Sequence, residues 1–281
     1  MNDSIRDFRQ FYARFIVASA GSANERLIAA FSTVPREKFL GKGPWPVFTG
    51  SGYLPTISDD PRLLYQDIVI GLLPEKGINN GQPGLHARCI AELAPSPGES
   101  VIHVGAGTGY YTAVLAEMVG PTGVVDAYEI EPSLAERART CLEGYKNAHV
   151  HAASASQASL PPADIIYVNA GVTRPDDRWI DALKVGGRMA VPLTPNEGFG
   201  GMLMITRVAE NVYAAKILCR VAFISCAGNR SDAESAALAK AFEPHSFRPV
   251  RSFHRFTSPD ETAWFVGNDW WLSTAEPGSI A

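Results

Sequence analysis

Cysteine is scarce in this chain of 281 residues, and its four cysteines lie far apart. None of them belongs to a C-x-x-C pair, and none has a histidine at the spacing of zinc ligands. This absence excludes the usual zinc motifs. The sequence therefore predicts no metal site and four free, buried thiols, at Cys89, Cys141, Cys219 and Cys226.

An excess of basic charge and long apolar runs are also lacking. Lys and Arg number 25 against 29 Asp and Glu, a formal net charge of −4, so no basic surface indicates a nucleic-acid partner. The segment from Met1 to Gln10 lacks the apolar centre of a signal peptide, and no run is long enough to span a bilayer. We therefore expect a cytoplasmic protein with no membrane partner.

A glycine-rich loop follows a β-branched apolar run in the middle of the chain. Val101 to Val104 is typical of a strand, and Gly105-Ala106-Gly107-Thr108-Gly109 has glycine at every second position. Glycine lets the backbone turn tightly and approach a ligand where a Cβ would clash. The pattern predicts that residues 105–109 bind a nucleotide cofactor.

The residues after this loop favour one cofactor. The next predicted strand ends at Glu129, where a βαβ unit places a carboxylate for the two ribose hydroxyls, and Ile130 follows it. The dinucleotide fingerprint has its third glycine where this chain has Tyr110, which disfavours NAD. We expect S-adenosylmethionine, with Tyr110 packed on the cofactor's side of the loop or, alternatively, buried in the core.

Strand and helix patterns alternate from the glycine loop onward, with 203–208 as the last strand of this alternation and Gly186-Gly187 as a turn into a strand. Such alternation predicts an α/β fold with a doubly wound, mostly parallel sheet. We expect a helical lead-in with an irregular loop over residues 1–75, a cofactor-binding domain over 76–225 and a C-terminal α+β addition over 226–281.

Several segments match one family in the same order along the chain. They are Phe31 to Phe39, Tyr65 to Asp67, Gln82 to Ala87, Gly105 to Ala116, Ala163 to Ala170 and Leu183 to Pro192. Over about residues 25–224 the chain resembles the protein-L-isoaspartate O-methyltransferases. The resemblance implies a class I methyltransferase fold, S-adenosylmethionine as cofactor, and methylation of a carboxylate on a damaged aspartyl residue of a peptide.

The acceptor segment departs from the pattern of that family. Its Thr-Ile-Ser positions, which help to hold the acceptor carboxylate, correspond to Asn79, Asn80 and Gly81 here. We expect the Gly81 N–H and the two side-chain amides to replace the lost hydroxyls. Because small misplacements slow such reactions, turnover on isoaspartyl peptides is expected to be poor, and Asn79→Thr with Gly81→Ser is expected to raise it.

Three more residues belong to the predicted cofactor site. His103 replaces the acid that the family places before the glycine loop, and we expect it to be neutral beside the methionyl ammonium. Cofactor affinity should then fall as the pH drops through the histidine range. His86 is either near the cofactor or packed within its helix. Asn169 either lines the pocket or caps the next turn.

Two functions of different class follow from these patterns. One is S-adenosylmethionine-dependent methyl transfer to a carboxylate of a peptide or small molecule. The other is a methyltransferase-like protein that binds the cofactor or a partner without chemistry. An NAD-dependent oxidoreductase is a distant third, because Tyr110 replaces the third glycine.

Overall fold

The computed structural model describes residues 2–278, and the chain forms two compact units. The first unit comprises the residues up to Val101 together with Gly105–Ala153. The second comprises Ile102–Val104 and the residues from Ser154 onward. This division follows packing rather than chain order, so the boundaries expected near residues 75 and 225 stay a prediction.

The first unit begins with the expected helical lead-in and contains the glycine loop. Its first elements are α1 (Asn2–Ser19), α2 (Glu25–Thr33), α3 (Arg36–Leu40), β1 (Pro46–Phe48), β2 (Tyr53–Pro55), β3 (Gly71–Leu73) and β4 (Ile78–Asn79), with short 3₁₀ helices at Pro61–Leu64 and Pro74–Lys76. They are followed by α4 (Pro83–Leu93), β5 (Ser100–Val104, which the two units share), α5 (Tyr110–Val119), β6 (Val124–Tyr128), α6 (Pro132–Leu142) and β7 (Ala148–His151).

Strand pairing in this unit explains its local shape. β6 and β7 pair in parallel, whereas β1–β2 and β3–β4 are antiparallel pairs. The β1–β2 hairpin lies inside the segment expected to be irregular. Proline occupies the first position of α4 and α6, where its missing N–H costs no helical hydrogen bond.

The second unit contains most of the sheet. Its elements are β8 (Ala163–Val168), α7 (Asp177–Ala182), β9 (Leu183–Leu193), β10 (Gly200–Ala209), β11 (Val212–Val221), α8 (Asp232–Ala241), β12 (Ser252–Arg255), β13 (Ala263–Val266) and β14 (Trp270–Ser273). The strands are arranged in the order β8-β9-β10-β11-β12-β14-β13. β8 and β9 pair in parallel, and the pairs from β9 onward are antiparallel.

These elements confirm the α/β fold with its helical lead-in and α+β addition, with two local differences. The segment 203–208 lies in β10, which is antiparallel to both neighbours, because the short connections at residues 194–199 and 210–211 can only join antiparallel strands. Gly186-Gly187 lies within β9, where the pairing with β8 shifts register, and is not a turn before the strand.

The four cysteines differ in exposure, and two of them are less buried than expected. Cys89 and Cys141 are buried, whereas Cys219 and Cys226 are partly exposed, and all four are free thiols.

Within residues 2–278, no helix combines the length and apolar character needed to cross a membrane. No group of three or more His, Cys, Asp or Glu side chains in that range is arranged to hold a metal ion.

A buried carboxylate holds the C-terminal addition together. Glu234 of α8 accepts hydrogen bonds from Trp270 Nε1 at 2.8 Å, from the Asn268 N–H at 3.0 Å and from Thr173 Oγ1 at 3.3 Å. It thereby links α8 to the turn between β13 and β14 and to the segment after β8. Removing it would leave buried donors without an acceptor, which is costly.

We predict that Glu234→Ala lowers the free energy of unfolding by at least about 3 kcal/mol, since it removes three hydrogen bonds and each bond to a charged group contributes roughly 1.5–3 kcal/mol. Urea denaturation followed by tryptophan fluorescence measures this change. Glu243→Ala, at an exposed position just after α8, is the matched control and should change stability little. Equal stability of the two variants would contradict the role of Glu234.

Candidate functional site

The glycine loop between β5 and α5 has a backbone that favours glycine. Gly105, Gly107 and Gly109 have φ values of 74°, 58° and 90°. A Cβ on Gly109 would lie 2.8 Å from Leu142 Cδ1, so a side chain there would have to displace Leu142. The Gly105 and Ala106 N–H groups donate to the Tyr128 carbonyl, at 2.9 and 3.2 Å. The end of β6 thus fixes the start of the loop.

Glu129 connects the end of β6 to this loop. Its Oε2 accepts from the Gly107 N–H at 2.7 Å, and its Oε1 accepts from the Glu131 N–H at 2.9 Å. Glu129 is 6% exposed, and burial raises its pKa, while neighbouring backbone N–H groups, that of Glu131 foremost, act in the opposite direction. Each carboxylate oxygen has a second lone pair that remains available for a ligand hydroxyl.

The other predicted cofactor residues of the first unit differ in exposure. Ile130 is 55% exposed beside the buried Glu129, so it offers apolar surface. Ala106 and Thr108 are buried within the loop. Tyr110 is 2% exposed and packs edge-on against Phe39, with the ring centroids 5.7 Å apart. Its side chain therefore lies in the core, which was the alternative, and its backbone begins α5 directly after the loop.

The acceptor segment uses most of its polar groups internally. Asn79 Oδ1 accepts from the Gly81 N–H at 2.9 Å. Asn80 pairs with the backbone of Ile70 twice: its N–H donates to the Ile70 carbonyl at 2.9 Å, and its Oδ1 accepts from the Ile70 N–H at 2.8 Å. The Gly81 N–H, expected to bind the acceptor, is thus already occupied.

One donor of this segment is different. Asn80 is 8% exposed, and its Nδ2 is buried without a hydrogen-bond partner among the described residues. Asn79 Nδ2 donates to the Gly77 carbonyl at the long distance of 3.5 Å. A buried amide donor without an acceptor is unfavourable, so this group requires a partner that the described residues do not supply. Of the three acceptor candidates, Asn80 is the one with a buried side-chain donor that lacks an acceptor among the described residues.

His86 lies directly against Gly81. An added Cβ on Gly81 would lie 2.0 Å from His86 Nε2, and the φ of Gly81 is +68°. The imidazole is buried and stacks on Tyr111, with the ring centroids 3.7 Å apart. Serine at position 81 would therefore clash with His86 and adopt a strained backbone. This corrects the expectation that Gly81→Ser restores the family's arrangement.

His103 and Asn169 come together in the second unit. Asn169 Nδ2 and His103 Nε2 are 2.7 Å apart, and the Asn169 N–H donates to the Val104 carbonyl at 2.8 Å. His103 is fully buried and its ring stacks on Tyr167, with the centroids 5.6 Å apart. Burial lowers the pKa of His103 to about 3. A neutral imidazole can accept the amide hydrogen of Asn169.

This pKa corrects the expected pH dependence of cofactor binding. Because His103 stays neutral down to a pH of about 3, its protonation cannot reduce affinity through the histidine range. The lowered pKa of His103 affects the free energy of unfolding instead. The pKa of an unfolded histidine is about 6.5, so below that pH the unfolded chain takes up a proton that the folded chain does not.

We predict that the contribution of His103 to the free energy of unfolding falls by up to about 1.4 kcal/mol per pH unit as the pH drops below about 6. Urea denaturation at pH 7.5, 6.0 and 5.0 measures it, and His103→Gln should give a flatter profile. His149→Gln, at an exposed position, is the control. If His103→Gln keeps the parent's slope, the buried neutral state is refuted.

Residues that sequence reasoning missed also contact the site. Asp67 accepts from the Gly84 N–H at 2.7 Å, at the start of α4. Lys76 Nζ lies 2.6 Å from Glu131 Oε2, and this contact lowers the pKa of Glu131, whose N–H binds Glu129. Asp67 belongs to a segment that carried the family resemblance, which was the available signal. Nothing in the sequence pairs Lys76 with Glu131, because 55 residues separate them.

Comparison with known proteins places this geometry in a family. The family model for protein-L-isoaspartate(D-aspartate) O-methyltransferase matches residues 17–231. A protein-L-isoaspartate O-methyltransferase of Aeropyrum pernix is 34% identical over 69% of this chain and 70% of its own length. One of Ignicoccus hospitalis is 40% identical over 45% of this chain, and the match spans 62% of that protein, less than two thirds.

Solved structures show the same fold. A protein-L-isoaspartate O-methyltransferase aligns with a TM-score of 0.64 and 24% identity, over 78% of this chain and 66% of that one. A Plasmodium falciparum protein of that description, in complex with S-adenosyl-L-homocysteine, aligns with a TM-score of 0.63 and 18% identity, over 79% and 99%. With its family model matched over most of its length, this chain belongs to the protein-L-isoaspartate O-methyltransferases, a family of class I S-adenosylmethionine-dependent methyltransferases.

Proposed function

We propose that this protein transfers the methyl group of S-adenosylmethionine to a carboxylate of a peptide. The buried Nδ2 of Asn80 carries the proposal, because it is a donor without an acceptor among residues 2–278. It lies in the segment that corresponds to the family's acceptor-binding positions. A carboxylate oxygen is a strong acceptor and would satisfy it.

The residues of the first unit fit the cofactor. The positive φ values of the glycine loop bring backbone rather than side chains to its surface, and Glu129 retains acceptor capacity for two hydroxyls. The exposed Ile130 offers apolar contact for a base. When bound, S-adenosylmethionine supplies a methyl group on a sulfonium leaving group.

The chain's own contribution to the reaction is positioning. An ionised carboxylate is already a nucleophile, so no general base is required of the protein. Asn80 holds one carboxylate oxygen through Nδ2 while its Oδ1 remains bonded to the Ile70 N–H. The side chain is thereby fixed at both ends, which restricts the acceptor to one orientation and lowers the entropic part of the barrier.

One observation favours the second candidate, a cofactor-binding protein without chemistry. The Gly81 N–H donates to Asn79 Oδ1, so one of the three donors expected to bind an acceptor is occupied. The two functions differ in the contribution of Asn80 to methyl transfer.

For cofactor binding, we predict that Glu129→Ala weakens the affinity for S-adenosylmethionine about ten- to a hundredfold. This corresponds to the roughly 1.5–3 kcal/mol of hydrogen bonds to a charged group. Isothermal titration calorimetry measures the affinity, with S-adenosylhomocysteine as a second ligand. Glu136→Ala removes an exposed glutamate from α6 and is the control. Unchanged binding by Glu129→Ala would exclude the carboxylate from the cofactor site.

For the acceptor, we predict that Asn80→Asp lowers methyl transfer about ten- to a hundredfold and leaves cofactor affinity unchanged. The variant keeps an oxygen for the Ile70 N–H but replaces the donor by an acceptor that repels a carboxylate. Transfer of labelled methyl is measured on an isoaspartyl peptide, on the same peptide with normal aspartate, and on a small carboxylic acid.

The exposed Asn211→Asp is the matched control for the added charge. The proposal is supported if Asn80→Asp lowers methylation of the isoaspartyl peptide and Asn211→Asp leaves it unchanged. Cofactor binding with no transfer to any of the three acceptors would favour the binding protein. Transfer by Asn80→Asp at the parent's rate would remove Asn80 from the acceptor site.

A further inference from the structure

The acceptor segment is held by a neighbouring segment that has little regular structure of its own. Residues 65–70 connect a 3₁₀ helix to β3. At one end, Ile70 binds Asn80 through both its N–H and its carbonyl. At the other end, Asp67 binds the start of α4, immediately after the acceptor segment. Residues 79–84 are therefore fixed on both sides of Gly81.

Asp67 supplies the cap that α4 lacks locally. Gln82, at the N-cap position of α4, makes no capping bond with its side chain. Asp67 Oδ1 accepts from the Gly84 N–H at 2.7 Å, and Oδ2 accepts from Gln82 Nε2 at 2.9 Å. A carboxylate at a helix N-terminus also interacts favourably with the helix dipole. Because α4 carries His86, which lies against Gly81, the position of α4 sets the space beside the acceptor segment.

Glycine at position 84 is required for this approach. A Cβ on Gly84 would lie 2.7 Å from Asp67 Oδ2, closer than the two groups can come. The Asp67–Gly84 contact can therefore be broken from either side, by removing the carboxylate or by adding a methyl group to residue 84.

Arg36 in turn shapes the segment that carries Asp67. It is fully buried at the start of α3, and its guanidinium donates to the carbonyls of Leu64, Gln66 and Ile68, the last two at 3.0 and 2.6 Å. These carbonyls belong to every second residue of the segment. A single planar group with five donors can bind all three at once, which a lysine ammonium cannot match.

From these contacts we infer that Arg36 and Asp67 are positioning residues for methyl transfer. Arg36 fixes residues 64–68, Asp67 fixes the start of α4, and together they set Asn80 and Gly81 for the acceptor. Both act through other residues and neither touches the reacting atoms. The part of this inference that concerns methyl transfer rests on the proposed function. The part that concerns the position of the acceptor segment rests on the hydrogen bonds alone.

The test compares Asp67→Ala, Asp67→Asn and Gly84→Ala with the parent. Asn24→Ala is the matched control, because Asn24 likewise caps a helix, α2, through the Arg26 and Leu27 N–H groups. Kinetics with an isoaspartyl peptide should show kcat/KM lowered at least tenfold in Asp67→Ala and Gly84→Ala, with cofactor affinity unchanged. Asp67→Asn, which keeps one acceptor oxygen, should recover part of the loss.

A purely structural role would lower stability in Asp67→Ala and Asn24→Ala alike without this kinetic difference. Equal kcat/KM in these two variants at temperatures where both are folded would therefore overturn the inference for transfer.

Amide hydrogen exchange separates this inference from the proposed function, since it needs no acceptor. Asp67→Ala and Arg36→Lys should raise the exchange rates of the Gly84 and Asn80 amides at least tenfold and leave that of Gly107 unchanged. Asn24→Ala should affect only Arg26 and Leu27. If the parent transfers no methyl group, these exchange rates still decide the inference. Parent-like exchange at Gly84 and Asn80 in Asp67→Ala would refute it.

Discussion

The hydrogen bond from the Gly107 N–H to Glu129 is the interaction on which the cofactor side of this protein depends. It joins the turn of the glycine loop to the end of β6, and the second oxygen of Glu129 holds the backbone at Glu131. The loop has positive φ values at three glycines and little helical or strand bonding of its own. A carboxylate at the end of the next strand therefore gives the loop one shape before any ligand binds, which lowers the ordering cost of binding.

The acceptor side follows a different principle. Its backbone is held by pairing with Ile70, and the Gly81 N–H donates to Asn79 Oδ1, whereas Asn80 Nδ2 has no acceptor among the described residues. At the position where the family has serine, this chain has Gly81, and the space that a side chain would need there is occupied by His86. Under the proposed function, the acceptor would therefore be held by one amide, the Asn80 Nδ2, rather than by several hydroxyls.

Much of the fold could be predicted because the relevant signals are local. Alternating apolar segments gave the α/β architecture, and the glycine spacing with Glu129 twenty residues later located the loop and its carboxylate. The antiparallel pairing of β10 was missed because the strand pattern alone does not show how short connections force a hairpin. The side chain of Tyr110 was ambiguous for a similar reason. Its place directly after the glycine loop can be read from the sequence, whereas its packing against Phe39 depends on where α3 lies.

The sequence by itself determined the fold class, the family and the positions of the glycine loop, Glu129 and the altered acceptor segment, because each follows from residue types at short, fixed spacings. Only the tertiary structure decided which polar groups are available. The Gly81 N–H is occupied, His103 is held neutral by burial, and serine cannot fit beside His86. These outcomes depend on residues brought together from distant parts of the chain, and on burial, which changes the free energy of a charge or an unpaired donor by several kcal/mol.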